Sequence, residues 1–338
     1  MLVLRPVEST DLPHLQQLAR ESLLGVTSLP DDTSLLQAKI DGSLRSFAKD
    51  VDERADESYF FVLQDSFSQR LHGCAEIIAT IGFKEPFYSL RNRTFISTSR
   101  ELNIQHAVPA LSLCQDLNGH TLLRGFHVDD ALVRGPYAEL GSRARLLFMA
   151  AHPRRFAEAA ITEIVGYYSE DMSSPFWDAL GKHFTDLPYA EAERLSGLQS
   201  REAITLLMPH HPIYIPMLPQ AAQDCIGKPH PDGRDAMDML LREGFEPHSY
   251  VDIFDGGPTL YARTANIRSI ARSQLLTTVR RAPSGKLGRY LLSNDKLRDY
   301  RAIVAELEEP LEGKVGLSDD MLEALRLDEG RTVRLIAL

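Results

Sequence analysis

The segment GFHVDDALVRGPYAELGSRARLLFMA, residues 125–150, constrains the fold of this chain more than any other. Its apolar first residues predict a buried strand, and the residues after the turn predict an amphipathic helix. The apolar positions of that helix recur close to the helical period at Tyr137, Leu140, Ala144, Leu147 and Phe148. A strand that passes through a short basic turn into a helix can bind an anion with the backbone N–H groups of the helix N-terminus.

The turn between this strand and this helix supports two interpretations. Arg134 and Gly135 could favour an anion through the guanidinium, the helix dipole and the N–H groups of the first turn. Pro136 has no N–H to donate, yet proline is also a favourable first helical residue. The sequence has no Walker loop, dinucleotide fingerprint or G-x-S-x-G elbow that would decide the question. A nucleotide cradle and an ordinary helix start therefore remain equally open at this point.

The order of the other periodic segments predicts an α+β fold with a mixed, largely antiparallel central sheet. Apolar runs predict strands at residues 2–7, 58–65, 71–82, 92–102, 120–128 and 159–168. Capping signals and helical spacing predict helices that begin near residue 11, cover 33–51, begin at 174 and end at Gly244. After about residue 278 the chain has a loop-like segment, RRAPSGKLG, and then short apolar runs that alternate with polar turns. We therefore expect one domain over residues 1–279 and a small β-rich appendage over 280–338.

Composition excludes several classes of function. No apolar run approaches the roughly 20 residues of a membrane span. A net charge of −10 disfavours nucleic acid as a partner, because phosphate backbones require clustered Lys and Arg. The cysteines, Cys74, Cys114 and Cys225, are odd in number and lack metal-ligand spacing, which is typical of a reducing cytoplasm. We therefore expect a cytoplasmic protein with no metal site and no membrane segment.

Two residues stand out as candidates for acid–base or charge chemistry. His230 lies between Pro229 and Pro231, which restrict the backbone on both sides and suit a histidine that transfers protons. A solvent-exposed turn histidine is the simpler interpretation. Glu163 lies within an apolar strand, so its charge needs a partner. That partner is either a structural arginine, which we favour, or a cationic substrate.

Other charged residues have simpler expected roles. Asp252 and Asp255 flank a predicted hairpin turn and are expected to shape it. Arg91 lies beside aromatic residues and Arg100 follows it, so either could bind a carboxylate. Surface ion pairs are the simpler interpretation of both arginines.

Several long segments of the chain resemble the arginine N-succinyltransferase family. Among them are LVLRPVESTDLPHLQQLA, EPFYSLRN, RLLFMAAHP, MPHHPIYIP, IGKPHP and YVDIFDGGPTL, which occur in the order that the family has. The resemblance extends nearly continuously from residue 1 to about residue 279. The tail, which includes GRYLLSNDKLRDYRAIV, is similar to that of the α chain of the two-chain arginine/ornithine succinyltransferases.

This resemblance implies a GNAT-like acyl-CoA N-acyltransferase fold. It also implies that a succinyl group passes from succinyl-CoA, a co-substrate and not a permanently bound cofactor, to the α-amine of L-arginine, with ornithine as an alternative acceptor. The reaction would be the first step of an arginine catabolic pathway. The histidine of the family's IGxxHP motif is the expected proton donor, and it is His230 here. A homologous β chain, self-association or both are the expected protein partners, and neither nucleic acid nor a membrane is expected.

The resemblance also implies a position for succinyl-CoA, which is expected to contact Phe126, His127, Arg134, Gly135 and Ala138. The remaining partners are candidates chosen by charge alone. The succinyl carboxylate needs a cation, for which Arg91 or Arg100 is the candidate, and the guanidinium of the acceptor needs a carboxylate, for which Glu163 or Asp252 is the candidate.

The phosphate loop departs from the pattern of many GNAT proteins. That pattern has Arg or Gln, two residues, Gly, any residue, and Gly or Ala. The corresponding positions here are Val133, Pro136 and Ala138, of which only the last matches. The departure motivates an alternative in which this chain is a weak or inactive subunit that supports a catalytic β chain.

Overall fold

The computed structural model of this chain describes residues 1–21, 29–198 and 201–338. Its strands are β1 Leu2–Pro6, β2 Ser58–Asp65, β3 Leu71–Ile78, β4 Ser89–Ser99, β5 Ile104–Cys114, β6 Thr121–Val128, β7 Ala159–Glu163, β8 Ile213–Tyr214, β9 Glu246–Val251, β10 Pro258–Arg263, β11 Gln274–Arg280, β12 Gly288–Ser293, β13 Ala302–Leu307, β14 Lys314–Leu317 and β15 Thr332–Ala337. Its α-helices are α1 Leu12–Glu21, α2 Thr33–Ala48, α3 Pro136–Ala151, α4 Pro175–Ala179, α5 Lys182–Thr185, α6 Tyr189–Leu198, α7 Arg201–Thr205, α8 Gln220–Cys225, α9 Arg234–Arg242, α10 Arg268–Ala271 and α11 Asp319–Ala324.

The strands of the described residues form one mixed sheet. Their order is β14-β11-β15-β12-β13-β1-β2-β3-β6-β7-β10-β9-β4-β5-β8. The pairs β6–β7 and β11–β14 are parallel, and the other pairs are antiparallel. The predicted α+β class and the predicted mixed, largely antiparallel sheet are confirmed.

Strand β2 shows why helices cover both faces of the centre of the sheet. Phe61 and Leu63 belong to a core cluster with residues of α3, whereas Phe60 and Val62 belong to a cluster with residues of α1 and α2. Successive side chains of a strand point to opposite faces, so a strand buried on both faces reads as a continuous apolar run. The run SYFFVLQD therefore confirms its predicted role as one strand of a hairpin with β3.

Helix α3 is buried along most of its length. Phe148 packs with its ring centroid 5.1 Å from those of Phe61 and Tyr300, and the Tyr300 hydroxyl donates a hydrogen bond of 2.7 Å to the carbonyl of Ala144. The helix also carries Arg145, whose Nη1 donates to two backbone carbonyls, one in β3 and one in β6. The predicted helix is confirmed, and these contacts hold it against the strands that form the site.

The last strands of the chain extend the same sheet. Strand β13 pairs with β1, with Val3 opposite Ile303, and β12 and β15 continue outward from it. These strands and α11 enclose a separate apolar cluster that includes Leu292, Leu317 and Val333. The expected domain division at residue 279 stays a prediction.

Several predicted elements differ from the structure in their bounds, and one strand was not predicted. The strands predicted at residues 71–82 and 92–102 cover Leu71–Ile78 and Ser89–Ser99, and the helix predicted over 33–51 ends at Ala48. Strand β7 ends at Glu163 and not at residue 168. Beyond its end, the N–H of Gly166 donates to the carboxylate of Asp255 and not to a neighbouring strand. Strand β5 was not predicted, since most of its outer half is exposed on both faces and shows no clean apolar alternation. The helix predicted from residue 174 ends at Ala179, and α5 follows as a separate helix beyond Gly181. None of the helices in the described part of the chain combines the length and apolarity that crossing a bilayer requires.

The break between α4 and α5 depends on a glycine for steric reasons. The backbone of Gly181 has ordinary helical angles, but a Cβ there would lie 2.2 Å from the ring of Trp177. Gly181→Ala is expected to lower the free energy of unfolding by about 1–3 kcal/mol in a urea titration, because the buried ring must move.

Gly42→Ala is the matched control for this substitution. Gly42 lies inside α2, and an added Cβ would meet its nearest neighbour, Arg45, at 3.8 Å. This substitution is expected to raise the free energy of unfolding by roughly 0.5–1 kcal/mol, because alanine has a higher helix propensity than glycine. Equal effects of the two substitutions would contradict the steric account.

Candidate active site

A cavity of about 1360 Å³ opens in the sheet where β6 and β7 separate. The two strands pair in parallel at Thr121↔Ala160 and Leu122↔Ile161, and the pairing stops there. Residues of both strands beyond these pairs line the cavity. The divergence of the two strands therefore creates a wedge in the middle of the sheet, covered by α2 on one side and by α3 and α9 on the other.

A β-bulge lies in the wall of this wedge. On one side of it Cys74 of β3 pairs with His127, and on the other side Glu76 pairs with Arg124, so β6 has one extra residue between the two pairs. Gly125, inside the bulge, has φ +62°, a left-handed conformation that glycine adopts without strain. A bulge interrupts the ladder and redirects the backbone, here next to Phe126.

The N-terminus of α3 lies at one end of the cavity. Pro136 is the first helical residue, and Gly135 before it supplies no side-chain cap. The N–H groups of Tyr137 and Ala138 belong to the first turn, which has no carbonyl partners within the helix. Arg134 lines the cavity mouth with its side chain 89% exposed, and its Nε lies 3.4 Å from Asp235 Oδ2. The ordinary Pro-initiated helix start is confirmed and borders the cavity, and the nucleotide cradle stays a prediction.

Carboxylates gather at another part of the cavity, around Arg201 of α7. Arg201 Nη1 donates to Glu163 Oε2 at 2.8 Å, and Nη2 pairs with Asp252. Glu193 and Asp255 also line this region. The favoured interpretation of Glu163, a pair with a structural arginine, is confirmed, and the expected turn role of Asp252 is confirmed because it accepts the N–H of Phe254.

Burial changes the acidity of this group of carboxylates. Desolvation, reinforced by the charge of Asp252 and opposed by Arg201, raises the pKa of Glu163 to about 7. Desolvation and Asp252 also raise the pKa of Asp255 to about 8. These two groups therefore retain protons near neutral pH to an extent that solvated carboxylates do not.

Three of these carboxylates come closest to a metal site among the described residues. Glu193, Asp252 and Asp255 each place one oxygen within 4.8 Å of the others. Asp255 accepts the N–H groups of Gly166 and Gly257, both at 2.7 Å, and Asp252 already pairs with Arg201. Because Arg201 and two backbone N–H groups already occupy oxygens of Asp252 and Asp255, we assign no metal here.

His230 lies beside the cavity and is not a solvent-exposed turn residue, so that simpler interpretation is wrong. Its side chain is 14% exposed, and its ring stacks on Tyr168 with centroids 4.3 Å apart. Nδ1 accepts the N–H of Asp232 at 3.3 Å, which leaves Nε2 to carry the proton of the neutral ring. The backbone N–H of His230 donates to the carbonyl of Val165 at 2.7 Å, and Val165 and Pro231 form the adjacent cavity wall, to which His230 itself does not contribute.

The structure separates the other predicted residues into two groups. The first group lines the cavity and consists of Phe126, His127, Arg134, Ala138, Glu163 and Asp252. Gly135 is not in the cavity wall but follows Arg134, which is. Arg91 and Arg100 lie on the β4–β5 hairpin and are absent from the described cavity wall. Arg91 instead pairs with Asp116, its Nη1 2.9 Å from Oδ2, which confirms the surface ion pair as its simpler interpretation.

The sequence interpretation missed a second buried network in the cavity wall. Glu76 of β3 accepts a hydrogen bond of 2.6 Å from Arg124 Nε and another of 2.6 Å from the Ser58 hydroxyl, and Lys39 Nζ of α2 pairs with it as well. Burial would raise the pKa of Glu76, but Arg124 and Lys39 outweigh it and lower the pKa to about 2. A carboxylate in the apolar run LHGCAEIIATIG is the same signal that marked Glu163, and it could have identified this network.

Comparisons with known proteins agree over the whole chain. The family model described as arginine N-succinyltransferase beta subunit matches residues 2–269, and the model of its C-terminal domain matches residues 276–337. The arginine N-succinyltransferase subunit alpha of Pseudomonas aeruginosa is 53% identical, with 100% of both chains covered. An arginine N-succinyltransferase of Escherichia coli is 35% identical over 100% of this chain and 98% of the relative. The solved structure of arginine/ornithine succinyltransferase subunit AI from Pseudomonas aeruginosa has a TM-score of 0.93 and 51% identity, covering 100% of this chain and 98% of that one.

The raised pKa values predict how stability depends on pH. The folded chain keeps protons on Glu163 and Asp255 at pH values where the unfolded chain has lost them, so the free energy of unfolding should fall between pH 5 and pH 8. Glu163→Gln imitates the neutral carboxyl group and should reduce this fall by on the order of 2 kcal/mol in urea titrations at the two pH values.

Glu57→Gln is the control for the pH dependence. Burial would raise the pKa of Glu57, but Lys49 and the N–H of Ala55 outweigh it and lower this pKa, while the pKa of Lys49 is raised, so neither group titrates differently in the folded and unfolded chain above about pH 5. This variant should be less stable at both pH values with an unchanged difference between them. An unchanged difference in Glu163→Gln would mean that Glu163 is ionised throughout.

Proposed function

This chain belongs to the arginine N-succinyltransferase family, and from that premise we propose that it transfers a succinyl group from succinyl-CoA to the α-amine of L-arginine. The observation that carries the proposal is the cavity at the divergence of β6 and β7, which joins a helix N-terminus to a group of carboxylates. The first suits the phosphates of CoA, and the second suits a guanidinium. The bulge in β6 and the diverging strands also support a GNAT-like fold.

The proposed reaction is direct aminolysis of the thioester. The unprotonated α-amine attacks the thioester carbonyl, the C–N bond forms, and the C–S bond breaks. The nitrogen loses a proton and the departing CoA thiolate gains one. Backbone N–H groups near Phe126 and His127, redirected by the bulge, would stabilise the oxyanion of the tetrahedral intermediate. His230 would donate the proton to the thiolate from Nε2 as an imidazolium, with Nδ1 3.6 Å from Asp232 Oδ2, and would become the neutral ring.

The acceptor is proposed to bind at the carboxylates. Arg201 pairs with Glu163 Oε2 and Asp252 Oδ2, so the guanidinium of L-arginine would bind at Glu163 Oε1, a buried oxygen for which the described residues provide no hydrogen-bond partner. The guanidinium of L-arginine would join this group of charges beside Arg201 and place its α-amine toward the bulge. Ornithine, whose ammonium the same carboxylates could hold, is proposed as an alternative acceptor, and arginine catabolism as the pathway.

The proposal extends to location and partners. One relative carries the name subunit alpha, and for this chain we propose a homologous β chain, self-association or both in the cytoplasm. The alternative, a weak subunit that supports a catalytic partner, is favoured by one observation. Pro136 occupies the first position of α3 and removes one N–H from the cradle.

Calorimetry of the purified chain alone with succinyl-CoA tests the donor site. Binding in the micromolar range is expected, because Arg134 and the N–H groups of the first turn of α3 border the cavity. Arg134→Gln should weaken it several-fold, within the range of a charge-assisted hydrogen bond. No detectable binding by the chain alone would support the alternative of a dependent subunit.

His230→Ala tests the proton donor. The variant is expected to lower kcat by about 10²–10⁴ with little change in the KM for succinyl-CoA, because the histidine acts on the leaving group and not on binding. His210→Ala is the control, since His210 is exposed in another proline-rich segment and should not matter. Unchanged turnover in His230→Ala, with an unchanged unfolding midpoint, would remove His230 from the mechanism.

A further inference from the structure

A network of two cations and one carboxylate lies in the cavity wall on the α2 side. Glu76 is its centre, with its side chain 1% exposed, and Lys39 beside it is 11% exposed. Arg124 completes the network from β6 with a side chain that is 42% exposed. All three residues line the cavity, so the network faces the space in which the reaction is proposed to occur.

The charges of this network do not cancel. Lys39 and Arg124 carry two positive charges against the single negative charge of Glu76. Arg124 uses Nε for its bond to Glu76, and a guanidinium has five N–H donors in a planar fork that matches a carboxylate. Burial lowers the pKa of Lys39 to about 8, a cost that a second nearby carboxylate would offset. The network therefore has both the charge and the donors to accept one more anion.

The bulge sets the position of this network relative to the reaction centre. Residues two apart in a regular strand share a face, but the extra residue in β6 breaks this rule. Arg124 joins Glu76 and Lys39 on the α2 face, whereas the ring of Phe126 packs on the α3 face with the guanidinium of Arg145 5.7 Å from its centroid. Two residues of strand span about 7 Å, which lies within reach of an arginine side chain and a four-carbon acyl chain.

We infer that Lys39 and Arg124, held in place by Glu76, bind the free carboxylate of the succinyl group and so select succinyl-CoA over uncharged acyl-CoA donors. The inference rests on the proposed function, and it replaces Arg91 and Arg100, which lie outside the cavity wall, as the expected cations. The donor and the acceptor then bind at networks of opposite charge. The succinyl carboxylate goes to the basic network, and the guanidinium goes to the carboxylates around Arg201.

The phosphates of CoA are the competing anions for this network. They are better served by the opposite side of the cavity, where Arg134 and Arg234 lie with the N-terminus of α3. The two possibilities differ in one respect that can be measured. A phosphate site would affect all acyl-CoA donors equally, whereas a carboxylate site affects only a donor that carries the carboxylate.

The test compares succinyl-CoA with butyryl-CoA, which has the same number of acyl carbons and no carboxylate. The affinity by calorimetry and kcat/KM with L-arginine are measured for both donors. The unmodified chain should prefer succinyl-CoA in both measurements. Arg124→Gln should lower the affinity and kcat/KM for succinyl-CoA roughly ten- to hundredfold, as expected for a lost charge-assisted bond, and leave butyryl-CoA unchanged. Arg124→Lys should retain part of the preference, since it keeps the charge and loses the fork.

Arg91→Gln is the matched control. Arg91 and Arg124 both lie on strands, both make one hydrogen bond to a carboxylate, and their side chains are 40% and 42% exposed. Arg91→Gln should leave the preference unchanged because Arg91 lies outside the described cavity wall.

Two results would overturn the inference. An equal loss for both donors in Arg124→Gln would assign the network to CoA itself, and an unchanged preference would place the succinyl carboxylate elsewhere. A chain that shows no turnover with either donor, yet loses its binding preference in Arg124→Gln, would support the alternative of a dependent subunit and keep this inference.

Discussion

The arrangement of this molecule depends on the place where β6 and β7 stop pairing. Two residue pairs join these parallel strands, and beyond Leu122 and Ile161 they diverge. A gap in the middle of a sheet exposes backbone N–H and C=O groups that must find other partners or a ligand. The fold maintains the gap from both sides, because α3 is anchored by Arg145 to the carbonyls of Glu76 and Arg124 and by the hydroxyl of Tyr300 to its own backbone.

Buried charge is the second organising feature, and it is arranged with opposite sign in two parts of the same cavity. Glu76 lies between Lys39 and Arg124, whereas Arg201 lies between Glu163 and Asp252. A buried ion pair is weak support for stability, because desolvation offsets most of its Coulomb energy. We therefore infer that these networks serve the cavity and not stability, and the proposed positions of the two substrates rest on them.

Much of the fold follows from local patterns that can be recognised in the sequence. The continuous apolar run of β2 and the Pro-initiated helix α3 both form as predicted. The failures also have local causes. Helix α4 ends early where the backbone of Leu180 leaves the helical region, with φ −129° and ψ −81°, and β5 is missed because its exposed half lacks an apolar face. Among the site residues, Phe126 and Glu163 line the cavity as expected, while Arg91 does not, since its partner, Asp116, lies on the surface 25 residues away in sequence.

The sequence by itself determined the alternation of strands and helices, the position of the helix start at Pro136 and the family to which the chain belongs. It also marked Glu163 as a charge that requires a partner, because a carboxylate within an apolar strand is visible without a structure. The tertiary structure decided which charges meet. Arg201 reaches Glu163 across 38 residues of chain, and Lys39 reaches Glu76 across 37. Such distances exceed any helical or strand period, so only the packing of α2 and α7 against the sheet brings these groups into one cavity.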